Sequence, residues 1–177
     1  MGAPAAGSRV QTGCPTGATH REDRCYISAP HSASLNATAV TVIAVWSGTG
    51  IKTLVAKRHA STIATTNYDF FANFNEWNGT TFNGPSDAST GFRIGLFSQD
   101  SSGFQPYKNG VAFSSYANAI GATNSEPLWI GSSMGTGEFF SGDIAEIAIF
   151  TRLLTVSERN AAHRLLSSRY ALSVTLS

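Results

Sequence analysis

Phe139 to Leu172 reads FFSGDIAEIAIFTRLLTVSERNAAHRLLSSRYAL, and it passes from one periodicity to another. Ile144 to Phe150 is a dense apolar run with Glu146 as its only charge, the pattern of a mostly buried strand. Thr155 and Glu158 follow at capping-box spacing, the threonine oxygen able to take a first-turn amide and the glutamate able to reach back to the Thr155 amide. The spacing predicts a helix over 155–170. Ala161, Ala162, Leu165 and Leu166 form its apolar stripe, with Arg169/Tyr170 at its end, while Arg159, Arg164 and Ser168 face water. One amphipathic helix after a strand-rich body is a cover for a sheet edge, not part of a bundle.

Upstream, the strands come at short spacing with turn residues between them. Cys25 to Ser28 opens the series, and Val40 to Trp46 is apolar on both sides of its pleat, with Trp46 in the core. Ile51 to Lys57 pairs next, followed by a polar loop from Arg58 to Asn67. Tyr68, Phe70, Ala72 and Phe74 alternate with more polar neighbours, and Phe92, Ile94 and Leu96 alternate with Arg93, Gly95 and Phe97. Asn78-Gly79, Asp100 to Gly103 and Asn109-Gly110 supply turns, and Leu128 to Gly131 is a late core strand with Trp129 outward. No βα alternation and no repeat period appears. The fold class this implies is all-β, a two-sheet antiparallel sandwich with one short C-terminal helix.

Several stretches carry a resemblance. Gly142-Asp143-Ile144-Ala145-Glu146-Ile147, Arg152, Leu154-Thr155, Glu158-Arg159 and the terminal Leu165-Leu166 and Arg169-Tyr170 are similar to the closing strand and helix of the concanavalin A-like, laminin-G-like jelly-roll superfamily. Arg93 to Val111 resembles that family's central hairpin and Leu128 to Gly131 its penultimate core strand; the likeness extends weakly upstream to about Tyr26. Bacterial and bacteriophage members are similar even in the Gly142 to Glu146 stretch.

Composition narrows the function classes. The chain has 177 residues, enough for one domain with a sizeable core, and only 13% are charged, with a formal net charge of +1. No Lys/Arg block offers a footprint for nucleic acid or for an anionic membrane. No apolar run reaches the roughly 20 residues of a membrane span, and the N-terminus carries no secretion-signal pattern. Residues 1–24 are rich in Gly, Ala, Pro, Ser and Thr without apolar periodicity and read as an anchoring arm, leaving 25–177 as the jelly-roll domain. Cys14 and Cys25 bracket the second half of the arm; a disulfide between them would close a short loop, and two unpaired thiols are the alternative.

Chemistry is sparse. Laminarinase-like glycoside hydrolases on this architecture carry E-x-D-x-x-E on one strand, but the aligned stretch here is Ser141-Gly142-Asp143-Ile144-Ala145-Glu146. Ser141 removes one of the two carboxylates that the reaction needs, so no catalytic residue is assigned. His20, His31, His59 and His163 belong to no triad or metal spacing and read as solvated. The resemblance implies calcium at a sandwich rim, for which Asp69 and Asp100 are the candidates. Sugar recognition needs aromatic faces flanked by amides and hydroxyls. Trp77 with Asn78, Tyr107 with Asn109, Tyr116 and Trp129 offer that combination.

The expectation is therefore a non-catalytic, virion-associated protein of a bacteriophage, a capsid decoration or tail adhesin on the exterior of the particle. Its arm would bind other virion proteins, its sandwich would bind host-surface glycans, and self-association is expected. A carbohydrate-binding module of a bacterial surface or secreted protein, extracellular or on the cell surface, is the alternative.

Overall fold

All seven residues of β2 (Val40–Trp46) are buried, because the strand is covered on both sides. Val40, Val42, Ala44 and Trp46 point into a core between two sheets, while Ile43 and Val45 point the other way into a second apolar cluster. The molecule, a computed structural model describing residues 26–58, 66–77, 79, 82–134 and 137–176, is built outward from this strand. The arm, Cys14, Cys25, Asn78 and most of the 58–67 loop lie outside the described residues.

The remaining strands are β1 (Ile27–Ala29), β3 (Thr53–Lys57), β4 (Tyr68–Phe71), β5 (Glu76–Trp77), β6 (Phe82–Asn83), β7 (Arg93–Asp100), β8 (Gly103–Lys108), β9 (Val111–Ala112), β10 (Leu128–Ile130) and β11 (Ile144–Phe150). They form two antiparallel sheets, a six-stranded one in the order β1-β10-β3-β4-β5-β6 and a five-stranded one in the order β11-β2-β7-β8-β9. This is the sandwich read from the sequence. Between the sheets, Tyr68, Phe70, Phe74, Phe97 and Phe104 join Trp46 in a largely stacked aromatic core. The Trp46 indole N–H donates to Ala72 O at 3.1 Å, so the largest side chain in the core leaves no polar atom unpaired.

A single helix, α1 (Val156–Tyr170), follows β11. Both halves of the capping box are present, with Glu158 N–H donating to Thr155 Oγ1 and Thr155 N–H donating to Glu158 Oε2. Two expectations about this helix change. It lies over the outer face of the five-stranded sheet, not over an edge, where Leu154, Ala162, Leu166 and Tyr170 cover Ile43, Val45, Ile94 and Leu96. Leu165 is 56% exposed, whereas His163 is 2% exposed and within 2.9 Å of Arg159 O through Nδ1, so that nitrogen carries the proton. The apolar positions 161, 162, 165 and 166 span more than one stripe, and the entry point selects among them. Thr41 Oγ1 donates to Arg152 O and accepts from Leu154 N–H, which fixes how the chain leaves the sheet. Phe92, in alternation with Ile94 and Leu96, is 47% exposed because β7 begins only at Arg93. Among the described residues no helix is long and apolar enough to cross a membrane.

Gly95 shows how tightly the core is filled. It pairs with Ala44 across β2 and β7, and a Cβ there would enter the Trp46 ring and crowd Phe74. Its backbone is ordinary, so the constraint is space alone. Gly95→Ala is expected to lower unfolding stability by about 1–3 kcal/mol, read as a lower urea midpoint with an unchanged m-value.

Candidate functional site

β7 continues past the helix. Its outward residues run Ile94, Leu96, Ser98 and Asp100 by strand alternation. The first two lie in the apolar cluster under α1, and the last two line an open cleft of about 320 Å³ with Gln99, Gln105, Tyr116 and Leu153.

The walls follow from local rules. Asp100 Oδ1 accepts the Ser102 N–H at 2.7 Å, closing the turn between β7 and β8, and Gly103 takes φ 149 at its exit. On the far side of β8, Phe113 N–H donates to Pro106 O at 3.0 Å, but proline has no N–H to return. The Gln105 side chain replaces it, Nε2 donating to Phe113 O at 2.7 Å. Pairing resumes where Phe104 and Tyr116 exchange both backbone bonds at 2.9 Å. Three steps from Phe113 to Tyr116 oppose two from Pro106 to Phe104, so one extra residue bulges the edge segment opposite the proline, and bulges are among the places where a sheet tolerates proline. Tyr116 follows the bulge and lines the cleft, with its ring packed on the core side, 6.1 Å from that of Phe104 between centroids.

Behind the cleft, Gln99 Nε2 donates to Glu76 Oε2 and to Asn118 O, each at 3.3 Å. Glu76 is fully buried between the sheets; burial pushes its carboxyl up to about 8, opposed by hydrogen bonds from Gln99 and Asn83.

The structure separates the other candidates. Trp77 packs at a tilt against Phe82 with centroids 4.7 Å apart and lies under the Arg58 guanidinium at 5.5 Å. Trp129 packs edge-on against Tyr26 at 5.5 Å. Both indole N–H groups are buried. Tyr107 is covered by Arg159, whose guanidinium lies 5.0 Å above its ring, and Asn109 is spent on the turn, with φ 50 and Oδ1 accepting the Ile94 N–H. Asp69 sits on the six-stranded sheet, fully buried against Arg58 at 2.9 Å, while Asp100 ends a strand of the five-stranded one. No group of three or more His, Cys, Asp or Glu positioned for a metal occurs among the described residues. Asp100 and Tyr116, nominated for different reasons, are the two that share a site. Ser98, Gln99 and Gln105 were missed, although a proline after Gln105 within a strand was a visible sign of an edge bulge.

The strand aligned with glycosidase acids is structurally engaged. Glu146 Oε2 accepts from Arg169 at 2.6 Å and from the Tyr170 hydroxyl at 3.0 Å, and Asp143 Oδ2 accepts from Ser47 Oγ at 3.2 Å.

With sheet order and site in view, comparison with known proteins is decisive for the family. A laminin-G model, described as the concanavalin A-like lectin/glucanases superfamily, matches residues 24–158. The chain belongs to this superfamily. No curated protein matches this superfamily domain. Solved structures that match include the botulinum neurotoxin serotype G binding domain, with TM-score 0.58, 13% identity, and coverage of 83% of this chain and 42% of that one. The serotype D binding domain matches with TM-score 0.55 and 10% identity over 84% of this chain and 41% of that one. Trypanosoma rangeli sialidase in complex with sialic acid matches with TM-score 0.55 and 12% identity, over 83% and 27%. These likenesses are of fold, and the superfamily domain spans less than half of each neighbour.

Glu76 makes a pH prediction. Its folded value near 8 lies above the ~4.3 of an unfolded glutamate. The folded state therefore keeps a proton that the unfolded chain releases, and the stability this contributes is full below about pH 4 and lost as pH rises through 8. Thermal unfolding midpoints should fall between pH 5 and 9 in the native protein, and Glu76→Gln should flatten that slope.

Proposed function

We propose that the chain is a non-catalytic glycan-recognition domain and that the cleft at the end of the β7–β8 hairpin is its binding surface. One observation carries this: an aromatic residue, Tyr116, lines one concave surface together with Ser98, Asp100 and Gln105. Sugar C–H faces stack on such rings, and hydroxyls pair with flanking polar atoms. Membership of a lectin/glucanases superfamily supports the reading, as do neighbours that are a toxin binding domain and a sialidase holding sialic acid. Against catalysis stands Ser141, with Glu146 committed to Arg169 and Tyr170. The setting we propose is the exterior of a bacteriophage particle, with residues 1–24 as the anchor, on the strength of the resemblance in Gly142 to Glu146 and the composition of the arm.

Glycan-array binding followed by titration of the best ligand, with and without calcium, tests the site. Tyr116→Ala should weaken binding at least tenfold, about 1.4 kcal/mol. Unchanged affinity in that variant, or no glycan bound in either condition, would remove the reading. For the setting, deletion of residues 2–24 should leave the unfolding transition of the sandwich in place and abolish incorporation into particles; normal incorporation would refute the anchor.

A further inference from the structure

The hydrogen-bonding groups of the cleft are not balanced between donors and acceptors. Both amide side chains that line it have turned their N–H groups inward. Gln99 Nε2 is committed to Glu76 and Asn118 O, and Gln105 Nε2 to Pro106 O and Phe113 O. No Lys, Arg or His lines the cleft among the described residues. The nearest base along the chain, Arg152 beside Leu153, holds Glu158 with both terminal nitrogens at 2.9 and 2.7 Å. Acceptors, in contrast, are open. Asp100 brings a carboxylate of which, among the described residues, only Oδ1 has a partner, the Ser102 N–H. Ser98 is 9% exposed, and its hydroxyl is buried with no partner although the residue lines the cleft. A buried hydroxyl left unpaired costs about 1–3 kcal/mol, and a ligand hydroxyl reaching Ser98 would recover part of that.

From this asymmetry we infer that the cleft selects uncharged sugars that donate hydrogen bonds from their hydroxyls, and excludes sugars carrying a carboxylate, sulfate or phosphate. An acidic group would meet the Asp100 carboxylate with no side-chain N–H left to neutralise it, and like charges brought together in a part-buried site repel. The inference rests on the glycan reading above and adds selectivity to it.

The test compares glycans in pairs, each neutral oligosaccharide with its sialylated and its sulfated counterpart, by titration calorimetry on the full chain. The acidic member of each pair should bind at least tenfold more weakly. Asp100→Asn keeps an oxygen for the Ser102 N–H and removes the charge, so it should narrow the gap to about threefold or less. Ser98→Ala should weaken neutral-glycan binding about threefold to tenfold while leaving the thermal midpoint unchanged or raised, because it deletes an unpaired buried hydroxyl. A merely structural Ser98 would move stability and leave affinity alone. Equal or tighter binding of the acidic glycans, or an undiminished gap in Asp100→Asn, would overturn the selectivity and leave glycan binding standing. Binding of no glycan of either kind would overturn the reading beneath it.

Discussion

Everything in this fold leans on β2 being buried on both faces. An antiparallel strand normally gives one face to the core and one to water, but Val40–Trp46 gives neither to water. At about 1.5–3 kcal/mol for each large apolar side chain fully buried, the strand is the main apolar investment of the chain, and it forces three layers. Trp46 sets the spacing of the inner two: its ring needs Gly95 beneath it and packs against Phe74 and Phe97. Arg93 closes the same region from the end of the sandwich. Its guanidinium lies 4.8 Å above the Trp46 ring and donates to Gly91 O, Gly48 O and Ala72 O, so three loops are tied to one buried cation. Burial lowers its pKa, and the carbonyls and the ring face supply the compensation that a buried charge requires.

The outer layer is consequently a necessity, not an ornament. Ile43, Val45, Ile94 and Leu96 need a cover, and α1 with the tail residues Leu172 and Val174 supplies it. The tail is pinned by Thr175 N–H donating to Asn109 O at 2.8 Å, at a turn where a side chain on Gly110 would collide with Thr175. The cover ends before β7 does. Where apolar residues on that face give way to Ser98 and Asp100, the sheet is left open and the cleft begins. The cleft is thus positioned by the length difference between a strand and the helix lying across it.

This explains what could be read in advance. Contiguous patterns were legible: the doubly apolar Val40–Trp46, the Thr155–Glu158 cap, and the Asn109-Gly110 and Asp100–Gly103 turns all rest on neighbours in sequence. The face of α1 was not, since Ala161, Ala162, Leu165 and Leu166 fit more than one rotation and the choice depends on Thr41, more than a hundred residues upstream. His163 looked solvated for the same reason. Six aromatic or amide candidates were proposed by local chemistry alone, and Trp77, Trp129, Tyr107 and Asn109 are held by partners that only tertiary contacts reveal. Tyr116 also packs on a ring, that of Phe104, and it lines the cleft where a proline two residues after that pairing partner broke the ladder and bent the edge.

The position where glycosidase relatives keep an acid shows how one residue type serves two ends. A carboxylate that is to act on a glycosidic bond must be free to exchange a proton with substrate and must face a second carboxylate. Glu146 is held instead by a guanidinium and a phenol from α1, and Asp143, three residues away, is bonded to Ser47 of the loop leaving β2. Each contact draws the closing strand toward an element that the first strand of its pair depends on, the helix on one side and the β2–β3 connection on the other. With Ser141 in place of the first acid, the carboxylates of this strand serve closure of the fold. Polar groups remain unspent at the far end of β7, which is where the proposed binding surface lies.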